Sequence, residues 1–386
     1  MKRALTALLC ASLLLTSCVH AAPSEEGALT LYALNVGKAD CLLLASGDSL
    51  YMIDTGTVES WGAVSRALRS MGISRLSGVI LTHADSDHAG GAWALASSDI
   101  AVDAWYASAF CAKVKKMDKH PAAQAAALRG ETVTWLRAGD TLPLDGGSLT
   151  VLAPAEPSDV ENCNSLVLLC EGGGGRMLLT GDMEFPEEEP LLLAGSLPVC
   201  DVLKVANHGE SDATSDVLVS TVRPKVAVIS TSTAEEPDTP APRVLKALRN
   251  VKADILTTQQ SPLGIRVTLH DGSVRAEVLD AAACPDAASG VRISEKSVDE
   301  QLIRLTNRSD QPVDLGGWFI RSTRGNEMFV FPSGAMLAPG GSLTVSSLST
   351  PWQGDYVWRE TKVWHRTKDD TALLYDAYGR LMDQAE

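Results

Sequence analysis

Apolar residues in this chain fall in short runs rich in leucine, valine and isoleucine, closed by glycine, aspartate and asparagine, which is the punctuation of strands and turns. Strands are predicted over 29–36, 41–45, 50–53, 79–82, 149–152, 166–170, 177–180, 202–205 and 226–229. Helical spacing of apolar positions falls between them, over 60–71, 124–129, 216–222 and 242–249. Strands alternating with amphipathic helices predict an α/β unit over 28–280, with two packed sheets covered by helices and the strand-end loops along one edge. Residues 281–291 turn small and polar, as a linker does. Over 292–386, short alternating strands and glycine turns mark a second, all-β unit.

The N-terminus changes the picture of where such a protein works. Lys2-Arg3, the apolar stretch 4–15 and Leu15-Thr16-Ser17-Cys18 predict a signal peptide over 1–22 with a lipobox-like end. Cutting before Cys18 gives a lipid-anchored protein at a membrane surface; cutting after Ala21 or Ala22 gives a secreted one. Either product is exported. No later run reaches about 18 apolar residues, so no further membrane span is expected. Beyond that segment the cysteines form no Cys-x-x-Cys pair, and buried thiols are expected at strand positions such as Cys41 and Cys170.

The net charge is −15, most of it between residues 23 and 280, and such a surface repels a long polyanion. Lys113, Lys115, Lys116, Lys119 and His120 form a basic strip, expected on an amphipathic helix running towards Leu128. Glu184, Glu187, Glu188 and Glu189 are expected on a solvated helix face.

The candidate chemistry is concentrated in Thr82-His83-Ala84-Asp85-Ser86-Asp87-His88, two histidines and two aspartates in six consecutive positions behind Val79-Ile80-Leu81. At a strand end the chain turns sharply, so these imidazoles and carboxylates can converge on a cation. Without a positive charge among them they would repel one another or lie unsatisfied. Helix capping by Asp87 would account for one carboxylate and for neither histidine.

The pattern resembles the His-x-Asp-x-Asp-His signature of the ComEC-type competence hydrolase branch of the metallo-β-lactamase superfamily. Asn35-Val36-Gly37-Lys38-Ala39-Asp40-Cys41, Tyr51-Met52-Ile53-Asp54-Thr55-Gly56, Asn164-Ser165-Leu166-Val167-Leu168, Leu178-Leu179-Thr180-Gly181-Asp182 and Leu203-Lys204-Val205-Ala206-Asn207-His208-Gly209 follow in that branch's order. The resemblance implies an αββα sandwich and metal ligation by His83, Asp85, Asp87, His88, Asp182 and His208. Asp87, Asp182 and His208 would carry the catalysis, Asp54 would orient a ligand histidine, and Asn164, Ser165 and Asn207 would contact substrate. It also implies one or two divalent ions. The third motif offers Asn164 and Ser165 where relatives have a histidine, so oxygen-rich coordination favours manganese or magnesium, with zinc possible.

In that family such a centre activates a hydroxide, which here implies a phosphodiesterase or nuclease acting on DNA or a small phosphodiester. The alternatives are hydrolysis of another small ester (a phosphomonoester, a cyclic nucleotide or a lactam) and a non-enzymatic surface or scaffold role. Three departures from the branch, Asn207 for histidine, Thr239 for histidine and Gln259 for aspartate, fall outside the proposed ligands. The C-terminal unit resembles a lamin-tail domain through Asp314-Leu315-Gly316-Gly317-Trp318, Leu337-Ala338-Pro339-Gly340-Gly341 and Asp370-Thr371-Ala372-Leu373-Leu374-Tyr375-Asp376. That implies a small immunoglobulin-like β-sandwich that binds or tethers an unknown ligand. Trp318, Trp352, Trp358 and Trp364 are expected in its core and rim.

Overall fold

The computed structural model describes residues 25–280, 284–287 and 290–386. The signal peptide lies outside the described residues, and the linker lies within them only in part.

Two mixed sheets stack face to face. The first runs in the order Ser273–Leu279, Gly264–His270, Leu29–Leu34, Leu42–Ser46, Ser49–Ile53, Gly78–Leu81, Trp105–Ser108 and Val133–Leu136. Its first half is antiparallel and its last four strands are parallel. The second runs in the order Asp254–Thr257, Val226–Ile229, Val202–Lys204, Gly175–Leu179, Val167–Gly172, Gly147–Ala153 and Thr141–Leu144. Leu31, Leu44, Ile53 and Ile80 of one sheet meet Leu149, Leu168, Leu179 and Val228 of the other in a closed apolar layer. These strands are apolar on both faces because helices cover the outside as well. Trp61–Ser70, Ala92–Ser97 and Pro121–Leu128 cover the first sheet, and Phe185–Leu193, Asp216–Val222 and Pro242–Asn250 the second. The result is the αββα sandwich expected from the sequence.

The β-rich remainder folds as two four-stranded sheets. Val291–Ser297, Leu302–Asn307, Ser342–Ser347 and Tyr356–Trp358 form one; Met328–Val330, Phe319–Ser322, Ala372–Tyr375 and Leu381–Ala385 form the other. Ile303, Leu305, Ile320, Phe331 and Leu374 fill the space between them, together with Trp318, Trp358 and Trp364. Trp352 is exposed. This sandwich packs directly on the first unit. Phe319, Met328 and Val330 join the apolar cluster around Trp61, Val64 and Leu68. Ser65 Oγ donates to Ala377 O at 2.7 Å and Arg66 Nε to Tyr378 O at 3.0 Å.

Two local expectations are corrected. The basic strip is not helical along its length: Lys113–Lys116 lies in a loop, and the helix begins only at Pro121, capped by His120. Proline at the first helical position and a capping side chain before it fix that start. The acidic helix face is not solvated at Glu187 and Glu188, which are buried. Glu188 accepts from Ser215 N at 3.0 Å, while burial pushes the Glu187 carboxyl well above its ordinary range. Cys41 and Cys170 are buried thiols, as expected, and so are Cys163 and Cys200, which lie outside the strands.

Candidate metal centre

The parallel strands Ser49–Ile53, Gly78–Leu81, Gly175–Leu179 and Val202–Lys204 all end at the same edge of the sandwich, the edge where open α/β sheets hold ligands. Asp54 follows the first, the His83–His88 turn the second, Asp182 the third and His208 the fourth. Each turn is tight. Gly181 has φ +49°, and a Cβ there would sit 3.0 Å from Ser165 Cβ, so Asp182 needs glycine before it. Asn207 and His208 are both left-handed, at φ 45° and 52°. Two such residues in succession cost about 1–3 kcal/mol each, which packing must offset, and they aim His208 back into the sandwich.

Hydrogen bonds on the outer side of each imidazole fix what faces inward. His88 Nδ1 lies 2.8 Å from Asp54 Oδ2, a carboxylate that can only accept. His208 Nδ1 lies 2.9 Å from the Ser230 carbonyl, also acceptor only. His83 Nδ1 lies 3.1 Å from Thr82 Oγ1, whose own hydrogen is committed to Asp54 Oδ2 at 2.7 Å. The rings of His88 and His208 therefore carry hydrogen on Nδ1 and present Nε2 to the interior, as metal-ligating histidines do. The Nε2 atoms of His83, His88 and His208, and Asp182 Oδ1, are buried without a hydrogen-bond partner. Asp182 Oδ2 stands 3.1 Å from His88 Nε2 and 3.3 Å from His208 Nε2, and Asp87 Oδ2 stands 3.3 Å from His208 Nε2. Donor atoms of Asp87, His88, Asp182 and His208 all lie within 4.8 Å of one another. Two imidazoles and two carboxylates converging on one point fit a divalent ion.

The other proposed site residues are placed differently. His83 is fully buried beside His88, ring centroids 4.2 Å apart, but stands outside the four-donor cluster. Asp85 also stands outside it, with Oδ1 2.6 Å from Lys113 Nζ. Asn164 is turned away from the centre. Its amide donates to Ser158 O at 2.9 Å and accepts from Ser158 N at 2.9 Å, so it staples its own loop and has no reach to substrate. Ser165 is a positioning residue: its Oγ accepts from Asp182 N at 3.1 Å and lies 3.2 Å from His83 Nδ1. Asn207 is 7% exposed, in the turn that carries His208.

The family model of the Metallo-beta-lactamase superfamily matches residues 34–233, and that of the Lamin Tail Domain matches residues 285–386. The chain belongs to the metallo-β-lactamase superfamily. At that level it is a metal-dependent hydrolase. It is 29% identical over 252 residues to ComE operon protein 3 of Bacillus subtilis (strain 168), covering 58% of this chain and 32% of that protein. It is 28% identical over 264 residues to Competence protein ComA of Neisseria gonorrhoeae, covering 67% of this chain and 35% of that one. The chain thus spans about a third of the length of these relatives. Among solved structures, the metallo-beta-lactamase fold protein YhfI from Bacillus subtilis aligns over 59% of this chain and 96% of its own, at 12% identity and a TM-score of 0.41. No helix among the described residues is long and apolar enough to cross a membrane.

Three buried residues that the sequence does not single out for the site also support it. Lys204 and Asp40 are fully buried and paired at 2.7 Å behind His88, and Lys204 Nζ also donates to Val205 O at 3.0 Å. A lysine inside the apolar run Val202-Leu203-Lys204-Val205 was the available signal, since a cation in a buried strand demands a carboxylate. Glu161, 6% exposed, joins two loops: it accepts from Ala84 N at 2.8 Å and from Ala112 N at 2.5 Å. Nothing in its local sequence marks it.

Electrostatics separates the three imidazoles. Burial, with His88 adding to it, holds His83 below its ordinary value, so it stays neutral. Burial also opposes charge on His208, but Asp182 and then Asp87 override it and lift that imidazole to about 9; Asp182 and Asp54 lift His88 in the same direction. Burial would raise the Asp182 carboxyl, yet His208 and His88 keep it well below the usual range. In the metal-free protein His208 therefore carries a proton at neutral pH that a metal must displace. Its pKa is above the ordinary 6.5, so the stability it gives the metal-free fold is complete below pH 6.5 and lost as pH rises through 9. Metal affinity moves the other way, rising about tenfold per pH unit for each proton displaced, until pH 9. Calorimetric titration with manganese between pH 6 and 9 checks this; an affinity flat across that window contradicts it.

Proposed function

We propose that this chain is an exported, metal-dependent phosphodiesterase that acts on DNA or a related phosphodiester. The observation that carries the reading is the convergence of Asp87, His88, Asp182 and His208 on one point, with Asp182 Oδ1 and the Nε2 atoms of His88 and His208 buried without a hydrogen-bond partner. The half-carboxylate donor set suits manganese or magnesium, with zinc also able to bind two imidazoles and two carboxylates. A divalent ion there supplies charge for a phosphate oxygen and lowers the pKa of a bound water. The residues around it hold and orient. Asp54, itself held by Thr82 N at 2.7 Å, fixes the His88 ring; Ser230 O fixes His208; Ser165 fixes the Asp182 backbone.

Phosphodiester cleavage is favoured over lactam cleavage by the His83 side, where the third motif supplies Asn164 and Ser165 and no imidazole. The similarity to two competence proteins over more than half the chain supports a nucleic-acid substrate. The net charge of −15 favours a second reading, a small phosphodiester in place of a long duplex. Residues 1–22 support export, with lipid attachment at Cys18 or full secretion, and the sandwich over 292–386 supports a tethering role towards a ligand of its own. Incubating the mature protein with single-stranded DNA, double-stranded DNA and bis(p-nitrophenyl) phosphate under manganese, magnesium and zinc tests the activity. Metal-dependent cleavage of at least one of them is expected; hydrolysis of a β-lactam with none of the phosphodiesters cleaved overturns the reading.

A further inference from the structure

The His83 side of the centre is built around a lysine. Asp85 Oδ1 and Lys113 Nζ lie 2.6 Å apart, and the pair is formed between loops that share one buried carboxylate. Glu161 accepts from Ala84 N, next to Asp85, at 2.8 Å through one oxygen; through the other it accepts from Ala112 N at 2.5 Å and Lys113 N at 3.3 Å. Lys113 is thus anchored at its backbone, while its side chain is 52% exposed at the mouth of the site. Neither residue of the third motif offers a ligand beside His83 and Asp85: Asn164 is spent on its own loop and Ser165 on Asp182 and His83.

We propose that the Lys113 ammonium stands in for a second metal ion, so that the centre takes a single divalent ion on Asp87, His88, Asp182 and His208 and offers Lys113 beside it as a contact for an anionic substrate oxygen. Charge balance supports this. The Asp85 carboxylate already has the Lys113 ammonium as its counter-charge at 2.6 Å, so the His83 side of the pocket needs no second cation to neutralise it. Lysine suits the role because its ammonium is a compact point charge on a flexible stem, able to leave Asp85 for a phosphate oxygen without the fixed geometry that arginine requires. Asp85 then acts as the resting partner of Lys113, which corrects its expected place as a metal ligand. The substrate half of the inference rests on the phosphodiester reading; the metal count does not.

Two titrations on the full mature chain test it without turnover. Equilibrium dialysis with manganese, and separately with zinc, followed by elemental analysis, is expected to saturate at one ion per chain. Binding of inorganic phosphate to the manganese-loaded protein is expected to weaken at least about tenfold in Lys113→Met and to stay within about threefold of wild type in Lys113→Arg. The half-exposed position lets both variants fold, which circular dichroism checks. Two ions bound with similar affinity in the wild-type chain, or phosphate held equally by wild type and Lys113→Met, overturns the inference. Absence of any phosphodiester cleavage would overturn the proposed activity while leaving one ion and a phosphate-binding lysine intact.

Discussion

Asp182→Ala gives a chain that no longer holds a divalent ion at micromolar metal and turns over substrate at least about 10³-fold more slowly than wild type. The carboxylate faces two imidazole Nε2 atoms at 3.1 and 3.3 Å, so removing it takes away the anionic donor between them. Metal chemistry contributes several kcal/mol of transition-state stabilisation, and each 1.36 kcal/mol is a factor of ten in rate. Asp182→Asn, which keeps the shape and removes the charge, separates loss of the ion from local collapse. His88→Ala acts in the same direction and also removes from the Asp54 carboxylate the His88 Nδ1 hydrogen at 2.8 Å, leaving it the two Thr82 donors. Elemental analysis and a single-turnover assay read both effects. Retention of stoichiometric metal by Asp182→Ala would show that the four-donor cluster is not the binding site.

Lys204→Met costs about 3–5 kcal/mol of folding stability, because it leaves the Asp40 carboxylate buried with no cation. Asp40 Oδ1 already lacks a hydrogen-bond partner, and its Oδ2 is met by Lys204 at 2.7 Å. Burial would push the Asp40 carboxyl up, and Lys204 first among its neighbours holds it down. The double change Asp40→Asn with Lys204→Met recovers part of the loss, since it removes both buried charges and leaves no carboxylate without its cation. Urea unfolding of Lys204→Met, Asp40→Asn and the double variant against wild type gives the coupling directly. A double variant whose loss equals the sum of the two single losses would mean that the pair contributes nothing as a pair.

The sequence displayed the strand-end geometry of the centre because its ligands sit where hydrophobic periodicity breaks. The runs 79–82, 177–180 and 202–205 each stop within three residues of His83, Asp182 or His208. Strands such as Gly264–His270 and Ser273–Leu279 escaped notice since charged residues, Arg266 and Glu277 among them, pair across the hairpin and interrupt the apolar pattern. Asn164 and Ser165 show a different limit. Adjacent in the chain, they point to different partners, and only the three-dimensional path of the 158–165 loop decides which one reaches the centre. Lys113 was read as part of a helix because its neighbours are basic and spaced loosely; the proline at 121 and the Glu161 staple, distant in sequence, override that local preference.

The helix Trp61–Ser70 is gripped on one side by its own sheet and on the other by Phe319, Met328 and Val330 of the sandwich. A flexible leash between the two units would let one wander against the other; here they share one apolar cluster, so the edge that carries His88 and His208 keeps a set bearing to the sandwich, as a fixed property of the molecule.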